Sequence, residues 1–295
     1  MFPAKFEYHA PTSLDEAIKL LDEGNGDVKV LAGGHSLLPL MKLRLAQPKA
    51  LVDIGRIQGL SGIKVTADGV TIGARTTHAE IESSEELKRA LPILPECASV
   101  IGDLQVRNCG TIGGSLAHAD PAGDFPAVIL ALDAELIARG PKGERTIKAG
   151  DFFVDMLTSA LEPNEILTEI RIKSLPPKAG SAYLKMDHPA SHYALCGVAA
   201  IVTLGDDGKI ADARIGVTGV APKAYRATGV EQALKGQPAN RDTFAKAAEK
   251  AAEGQDTLDD LHASSDYRAH LARVFTRRAL ERAAQPGEAE AERQV

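Results

Sequence analysis

The sequence predicts an α+β chain: two subdomains followed by a smaller α+β domain. Three observations predict it. Strand and helix patterns alternate over residues 1–56, as in a layered α/β unit. From Ile63 onward, short alternating runs with turn signals mark antiparallel strands. Beyond the Pro/Gly/Ser stretch Leu175 to Ser181, three strand patterns precede several helical ones. These shifts place the first unit at 1–176, with subdomains of about 1–56 and 57–176. A second unit covers 177–284, and the polar, Glu-rich tail 285–295 is expected to be disordered. A chain of 295 residues is long enough for this division.

Phe6 to Tyr8 reads as a short strand. Ser13 then fits a helix cap, with Glu16 at capping-box spacing. Leu14, Ala17, Ile18 and Leu21 fall on one helical face, and Gly24 to Asp27 ends it. Val28 to Leu31 is strand-like, Ser36 to Ala46 helical, and Leu51 to Ile54 a third strand. Ile63–Val65, Gly69–Gly73 and Ala74–Thr76 read as antiparallel strands around the hairpin signal Asp68-Gly69. One helix is expected over His78 to Arg89 with Thr77 as cap, another over Pro92 to Val100, and a third after Asp124. Glu135–Arg139 and Glu144–Lys148 form a second hairpin, and Glu169–Ile172 a strand. In the last unit, Gly197–Leu204 and Ile210–Val220 are strands in a three-stranded antiparallel sheet. Thr228–Leu234, Arg241–Glu253 and a segment from about Tyr267 to Ala284 are helices.

Composition narrows the function classes. The net charge of -6, with acid and base intermixed, argues against a nucleic-acid footprint. The longest apolar runs are too short to span a bilayer, and the N-terminus lacks a secretory apolar core, so a cytoplasmic location is expected. Cys97, Cys109 and Cys196 are too few and too dispersed for a disulfide framework or an iron–sulfur cluster. They read as small core residues, with Cys109 singled out by its place beside a glycine pair. His188 and His192 lie four apart, but Pro189 disrupts the helix that would align them, and no metal site is read there.

Two glycine pairs carry the chemistry: Ala32-Gly33-Gly34-His35-Ser36 and Thr111-Ile112-Gly113-Gly114-Ser115. Each follows a possible strand, and each is either a tight turn or an anion nest of backbone N–H groups. Two nests suit the two phosphates of a dinucleotide such as FAD. Ser36, Thr111 and Ser115 add hydroxyls. Asp124 is either a helix cap or the carboxylate that binds a sugar hydroxyl. There is no Gly-x-Gly-x-x-Gly opening, Walker motif or nucleophile elbow.

At these residues the chain resembles a family. Lys29 to Leu37, Gly110 to Ser115 and Asp120-Pro121-Ala122-Gly123-Asp124 resemble the FAD-binding medium subunits of the molybdenum hydroxylases. That group includes xanthine dehydrogenase and aerobic carbon monoxide dehydrogenase and has the vanillyl-alcohol-oxidase (PCMH-type) FAD fold. The run Gly34 to Arg44 is most similar to the carbon monoxide dehydrogenase branch, and the likeness extends through Tyr267 to Leu280. The resemblance implies that Lys29, Val30, Leu31, Ala32, Gly33, Gly34, His35, Ser36 and Leu37 wrap the pyrophosphate from one side. Gly110, Thr111, Gly114, Ser115 and Ala117 hold it from the other. It implies that Asp124 binds a ribose or ribityl hydroxyl, that Ile101 lies against the cofactor, and that Ile166 and Leu167 cover adenine or its sugar. It places Lys185, otherwise a strand-surface cation, at the flavin's polar edge, and Tyr193, otherwise a core tyrosine, near the isoalloxazine. Many relatives have Asn where this chain has Ser115.

The implied function is electron transfer. A partner small subunit would carry iron–sulfur clusters and a partner large subunit a molybdopterin cofactor. The whole would form a dimer of heterotrimers that passes electrons to a quinone or another acceptor, in the cytoplasm at the inner face of the membrane. No residue of this chain is expected to be catalytic. The rivals are the flavoprotein subunit of a xanthine, aldehyde or N-heterocycle dehydrogenase, a self-contained FAD oxidoreductase with Cys196 as an arguable proton donor, and a binding module in which the glycines are only turns.

Overall fold

The first unit of the fold is a parallel three-stranded sheet flanked by helices. β1 (Glu7–His9), α1 (Leu14–Glu23), β2 (Val28–Leu31), α2 (Leu37–Lys42) and β3 (Ala50–Asp53) give the strand order β1-β3-β2. The computed structural model describes residues 1–285, so all but the first residue of the expected disordered tail lies outside the described residues. The Ser13 hydroxyl caps α1 by accepting from the Glu16 amide at 3.2 Å, and Ala17, Ile18 and Leu21 face the sheet. α2 ends four residues before the expected Ala46. Arg44 takes a left-handed conformation (φ 60°), and the amides of Leu45 and Ala46 both fold back onto the Leu40 carbonyl.

The second unit is an antiparallel sheet with a helical layer. β4 (Ile63–Val65) and β5 (Gly69–Gly73) form the expected hairpin. Ala74 to Thr76 does not continue as a strand. The Ala74 carbonyl accepts from the Gly113 amide at 2.7 Å and that of Thr76 from Ile112, so this backbone anchors a later helix. The helix expected over 78–89 is two: α3 (His78–Ser83) and α4 (Glu85–Ala90). Ser84 between them is extended, and its hydroxyl caps α4 at the Leu87 amide. α5 (Ile93–Ser99), α6 (Leu104–Cys109), α7 (Ile112–His118) and α8 (Asp124–Ala131) follow. α6 and α7 were not foreseen; glycines at 113 and 114 lower helix propensity, but packing overrides it. Every residue of α8 is buried. β6 (Glu135–Gly140), β7 (Gly143–Lys148), α9 (Ala149–Phe152), β8 (Phe153–Asp155), β9 (Thr158–Ser159) and β10 (Ile166–Lys173) complete the unit. The main sheet has the order β4-β5-β10-β6-β7, with β10 bulged at Thr168.

The third sheet is antiparallel: β11 (Ala179–Asp187), β12 (Ala194–Leu204), β13 (Ile210–Thr218) and β14 (Tyr225–Arg226). β14 adds a two-residue edge to the three strands expected. β11 begins inside the stretch read as a linker. α10 (Thr228–Leu234), α11 (Arg241–Ala248) and α12 (Ser265–Ala283) follow, α11 stopping five residues before the expected Glu253. β12 is buried along nearly its whole length, packed between α8 and α12. A side chain at Gly216 on β13 would overlap the Ala127 carbonyl of α8, so glycine lets this sheet rest directly on that helix. No helix among the described residues is long and apolar enough to cross a membrane.

Phe125 is fully buried in the largest core and packs against the His78 ring at 5.4 Å between centroids. Phe125→Ala is expected to lower unfolding free energy by about 3–5 kcal/mol in urea or thermal denaturation.

Candidate functional site

A cavity of about 810 Å³ opens between the end of β2, the α6–α7 corner, the start of β10 and the loop at Ser191 to Tyr193. That volume lies within the usual range for cofactor sites. Every site residue expected from the sequence lines it, with the exception of Lys185. The two glycine frames lie against each other. A side chain at Gly33 would overlap the Cys109 carbonyl and come within 3.0 Å of Gly110, so only glycine allows this approach.

The two frames work differently. In the first, Gly34 has φ +75°, and the amides of Gly33, Gly34, His35 and Ser36 donate to no acceptor among the described residues. His35 Nδ1 lies 3.0 Å from the Gly33 carbonyl and braces the turn. These unsatisfied N–H groups form an open anion nest. The second frame follows helix α6 rather than a strand and is itself the first turn of α7. Four of its five amides are already committed: Ile112 to Thr76, Gly113 to Ala74, Gly114 to the Thr111 hydroxyl and Ser115 to Thr111. The expectation of two matched nests is corrected here. Hydroxyls and the bare face of Gly114 are what the second frame presents to the cavity.

Asp124 supplies the carboxylate. It is 5% exposed, and it does not cap its helix; Gly123 takes the N-cap position. The Tyr183 hydroxyl donates to its Oδ1 at 2.6 Å, and Lys185 Nζ donates to its Oδ2 at 3.1 Å. Tyr183 and Lys185 alternate on β11, which puts both on one face. Burial pushes the Asp124 pKa up, opposed by the Lys185 ammonium and the Tyr183 hydroxyl. Lys185 also donates to the Val100 carbonyl at 2.8 Å, and its side chain is 4% exposed. It stands behind Asp124, on the wall of a second hollow between α5, β11 and α12.

Ile166 and Leu167 are buried at the start of β10, while Tyr193 is 44% exposed at the mouth. Cys97 and Cys196 are buried, Cys196 pushed up to about 12 by desolvation, and neither lines the cavity. The proton donor that a self-contained oxidoreductase would need is therefore not supplied by Cys196.

Sequence reasoning missed two residues. Tyr183 is one; its place two residues before Lys185 on the same strand was the available signal. His78 was read as a helix start, yet it lines the cavity, with its ring against Gly110. It is 5% exposed, and its Nδ1 has no hydrogen-bond partner. Desolvation, followed by His35 and Arg107, lowers its pKa to about 4.

A cavity of this volume lined by an amide nest and a buried carboxylate is that of a nucleotide-cofactor binding protein. Residues 4–174 match the family model described as the FAD binding domain in molybdopterin dehydrogenase, and residues 181–283 match the CO dehydrogenase flavoprotein C-terminal domain. The chain belongs to this family, and its cofactor is FAD. It is 41% identical to the carbon monoxide dehydrogenase medium chain of Hydrogenophaga pseudoflava, over 95% of this chain and 97% of that one. It is 40% identical to the 6-hydroxypseudooxynicotine dehydrogenase complex subunit alpha of Paenarthrobacter nicotinovorans, over 96% of each. Among solved structures, a Cu,Mo-CO dehydrogenase superposes with a TM-score of 0.94 at 38% identity, covering 97% of this chain and 100% of that chain. The protein is thus a flavoprotein subunit of an oxidoreductase complex.

The depressed His78 pKa fixes a pH dependence. Between pH 6.5 and about 4 the unfolded chain takes a proton on this residue that the folded chain refuses. Stability therefore falls as pH drops through that window and levels off below it, by roughly 3 kcal/mol in all. Urea denaturation at pH 7 and pH 4 should show a correspondingly smaller loss for His78→Asn than for the parent.

Proposed function

We propose that this chain relays electrons through FAD in a molybdenum hydroxylase whose complex oxidises carbon monoxide. The observation that carries the reading is the lining of one cavity, which holds both the open amides at Gly33 to Ser36 and the buried Asp124 carboxylate. The relatives at 41% and 39% identity named carbon monoxide dehydrogenase medium chain support the substrate. Iron–sulfur clusters on a small partner subunit would supply the electrons, drawn from a molybdopterin centre on a large one. The three dispersed cysteines of this chain support that division of labour. The assembly is proposed as a dimer of heterotrimers, in the cytoplasm at the inner face of the membrane, delivering to a quinone or another acceptor.

FAD supplies the capacity to take up electrons singly and to pass them on singly or in pairs. The chain's own residues bind and orient it. The Gly33–Ser36 amides donate to the pyrophosphate, with the Ser36, Thr111 and Ser115 hydroxyls beside them. Lys29, Val30, Leu31, Ala32 and Leu37 shape that wall. Gly110, Gly114 and Ala117 keep the opposite wall low. Ile101, Ile166 and Leu167 give apolar cover, and Tyr193 shields the mouth. Asp124 accepts from a sugar hydroxyl, while Lys185 behind it offsets its charge.

A second reading, an N-heterocycle dehydrogenase, has its own support: relatives named 6-hydroxypseudooxynicotine dehydrogenase complex subunit alpha and nicotine 6-hydroxylase medium subunit are 40% and 36% identical. Bleaching of the flavin absorption in the assembled complex separates the two. Carbon monoxide should bleach it; bleaching by an N-heterocycle alone would move the assignment to that branch. In the chain itself, Gly34→Val forces a β-branched side chain onto φ +75° and should abolish the flavin spectrum of the purified protein. Full FAD occupancy in that variant would remove the nest from the account.

A further inference from the structure

The Asp124 carboxylate is held from behind, and the residue that holds it has a place prepared for it. We propose that Tyr183 is a positioning residue for FAD: its hydroxyl fixes the Asp124 carboxylate so that its remaining lone pairs accept a sugar hydroxyl of the cofactor. The inference deepens the FAD reading of the cavity and rests on it.

Three observations carry it. The hydroxyl lies 2.6 Å from Asp124 Oδ1, and Tyr183 is 3% exposed, so water does not compete for the phenol. Each carboxylate oxygen accepts two hydrogen bonds; Oδ1 takes the Tyr183 hydroxyl and lies 3.0 Å from Lys185 Nζ, while Oδ2 accepts only from Lys185 among the described residues, which leaves it capacity toward the cavity. Gly197, on the adjoining strand and opposite Lys185 in register, leaves the space that the phenol occupies. A side chain there would overlap the Tyr183 oxygen and lie 2.8 Å from Thr218 Cγ2. The Tyr183 amide donates to Glu96 at 3.1 Å, and Glu96 is paired with Arg282 of α12, so the backbone carrying the phenol is tied down as well.

The direction of the hydrogen bond is fixed. Burial, with the Asp124 charge next, pushes the phenol far above its ordinary range, so Tyr183 donates and Asp124 accepts. A carboxyl oxygen that accepts from Tyr183 and Lys185 can accept a further hydroxyl and offers no donor to a phosphate. The nest at Gly33 to Ser36 has the opposite preference. The cavity thus offers donors for the phosphates and an acceptor for a sugar hydroxyl, and Tyr183 keeps the acceptor aimed.

The test is a double-mutant cycle on the full-length chain freed of flavin. FAD is titrated into the parent, Tyr183→Phe, Asp124→Asn and the double variant, read by quenching of flavin fluorescence. Tyr183→Phe, which keeps the ring, should weaken FAD binding about tenfold or more. In the Asp124→Asn background the same change should shift the affinity less than about twofold. A tyrosine that only packs the core would weaken binding equally in both backgrounds, and that result overturns the proposal. Should Tyr183→Phe fold poorly, Gly197→Ala displaces the hydroxyl with the tyrosine in place, and the same pattern is expected. A parent chain that takes up no FAD overturns the cavity assignment and this inference together. A parent that binds FAD, with Tyr183→Phe unchanged, overturns this inference alone.

Discussion

The absence of one side chain, at Gly33, governs the architecture of the site. It lets the turn after β2 close onto the carbonyl of Cys109, at the corner between α6 and α7. Without that approach the parallel unit and the helical layer would stand apart, and the cavity would lose a wall. A Cβ at 33 meets backbone rather than the end of a flexible side chain, so the corner has nothing to yield by rotamer change. Gly113 and Gly216 repeat the device, seating α7 on Ala74 and the third sheet on α8. Close backbone packing at three junctions gives the elements around the cavity fixed relative positions.

Polar contacts then link the layers that glycine brings together. Asp124 of α8 meets Tyr183 and Lys185 of β11, and Lys185 reaches the Val100 carbonyl after α5. Arg226 of β14 donates to the Leu130 carbonyl of α8 and pairs with Glu231 of α10. Lys223 reaches the carbonyls of Phe153 and Val154. A buried ion pair is weak evidence for net stability, because desolvation opposes the attraction. Its value here is geometric: each contact satisfies a group that would otherwise be buried alone, and each fixes one layer against another.

Much of this was legible in the sequence because it was local. Asp68-Gly69 and the Gly140 to Gly143 turn announced their hairpins, and Ser13 with Glu16 announced α1. Features set by distant partners were hidden. Ser84 reads as one more polar helix residue until its extended backbone splits α3 from α4. The second glycine frame reads as a nest until Ala74, Thr76 and Thr111 are seen to take four of its amides. Lys185 reads as a strand-surface cation, and only the assembled sheet shows its ammonium donating to Val100 and Asp124. Alternation with Lys185 gave the face of Tyr183 but not its partner, because its reach depends on Gly197 of another strand. Alternation gives a side chain's face, and only the assembled sheet gives its partner.

The α6–α7 corner has a consequence for how the molecule behaves when empty. Its helices have six and seven residues, too short to persist as free peptides. They exist because neighbouring layers hold them, and they form one side of the cofactor's berth. A ligand seated there braces the segments with the least intrinsic order, and its binding energy adds to the resistance of the whole chain to melting. The holoprotein's thermal transition is therefore a gauge of occupancy, rising with each increment of free flavin nucleotide.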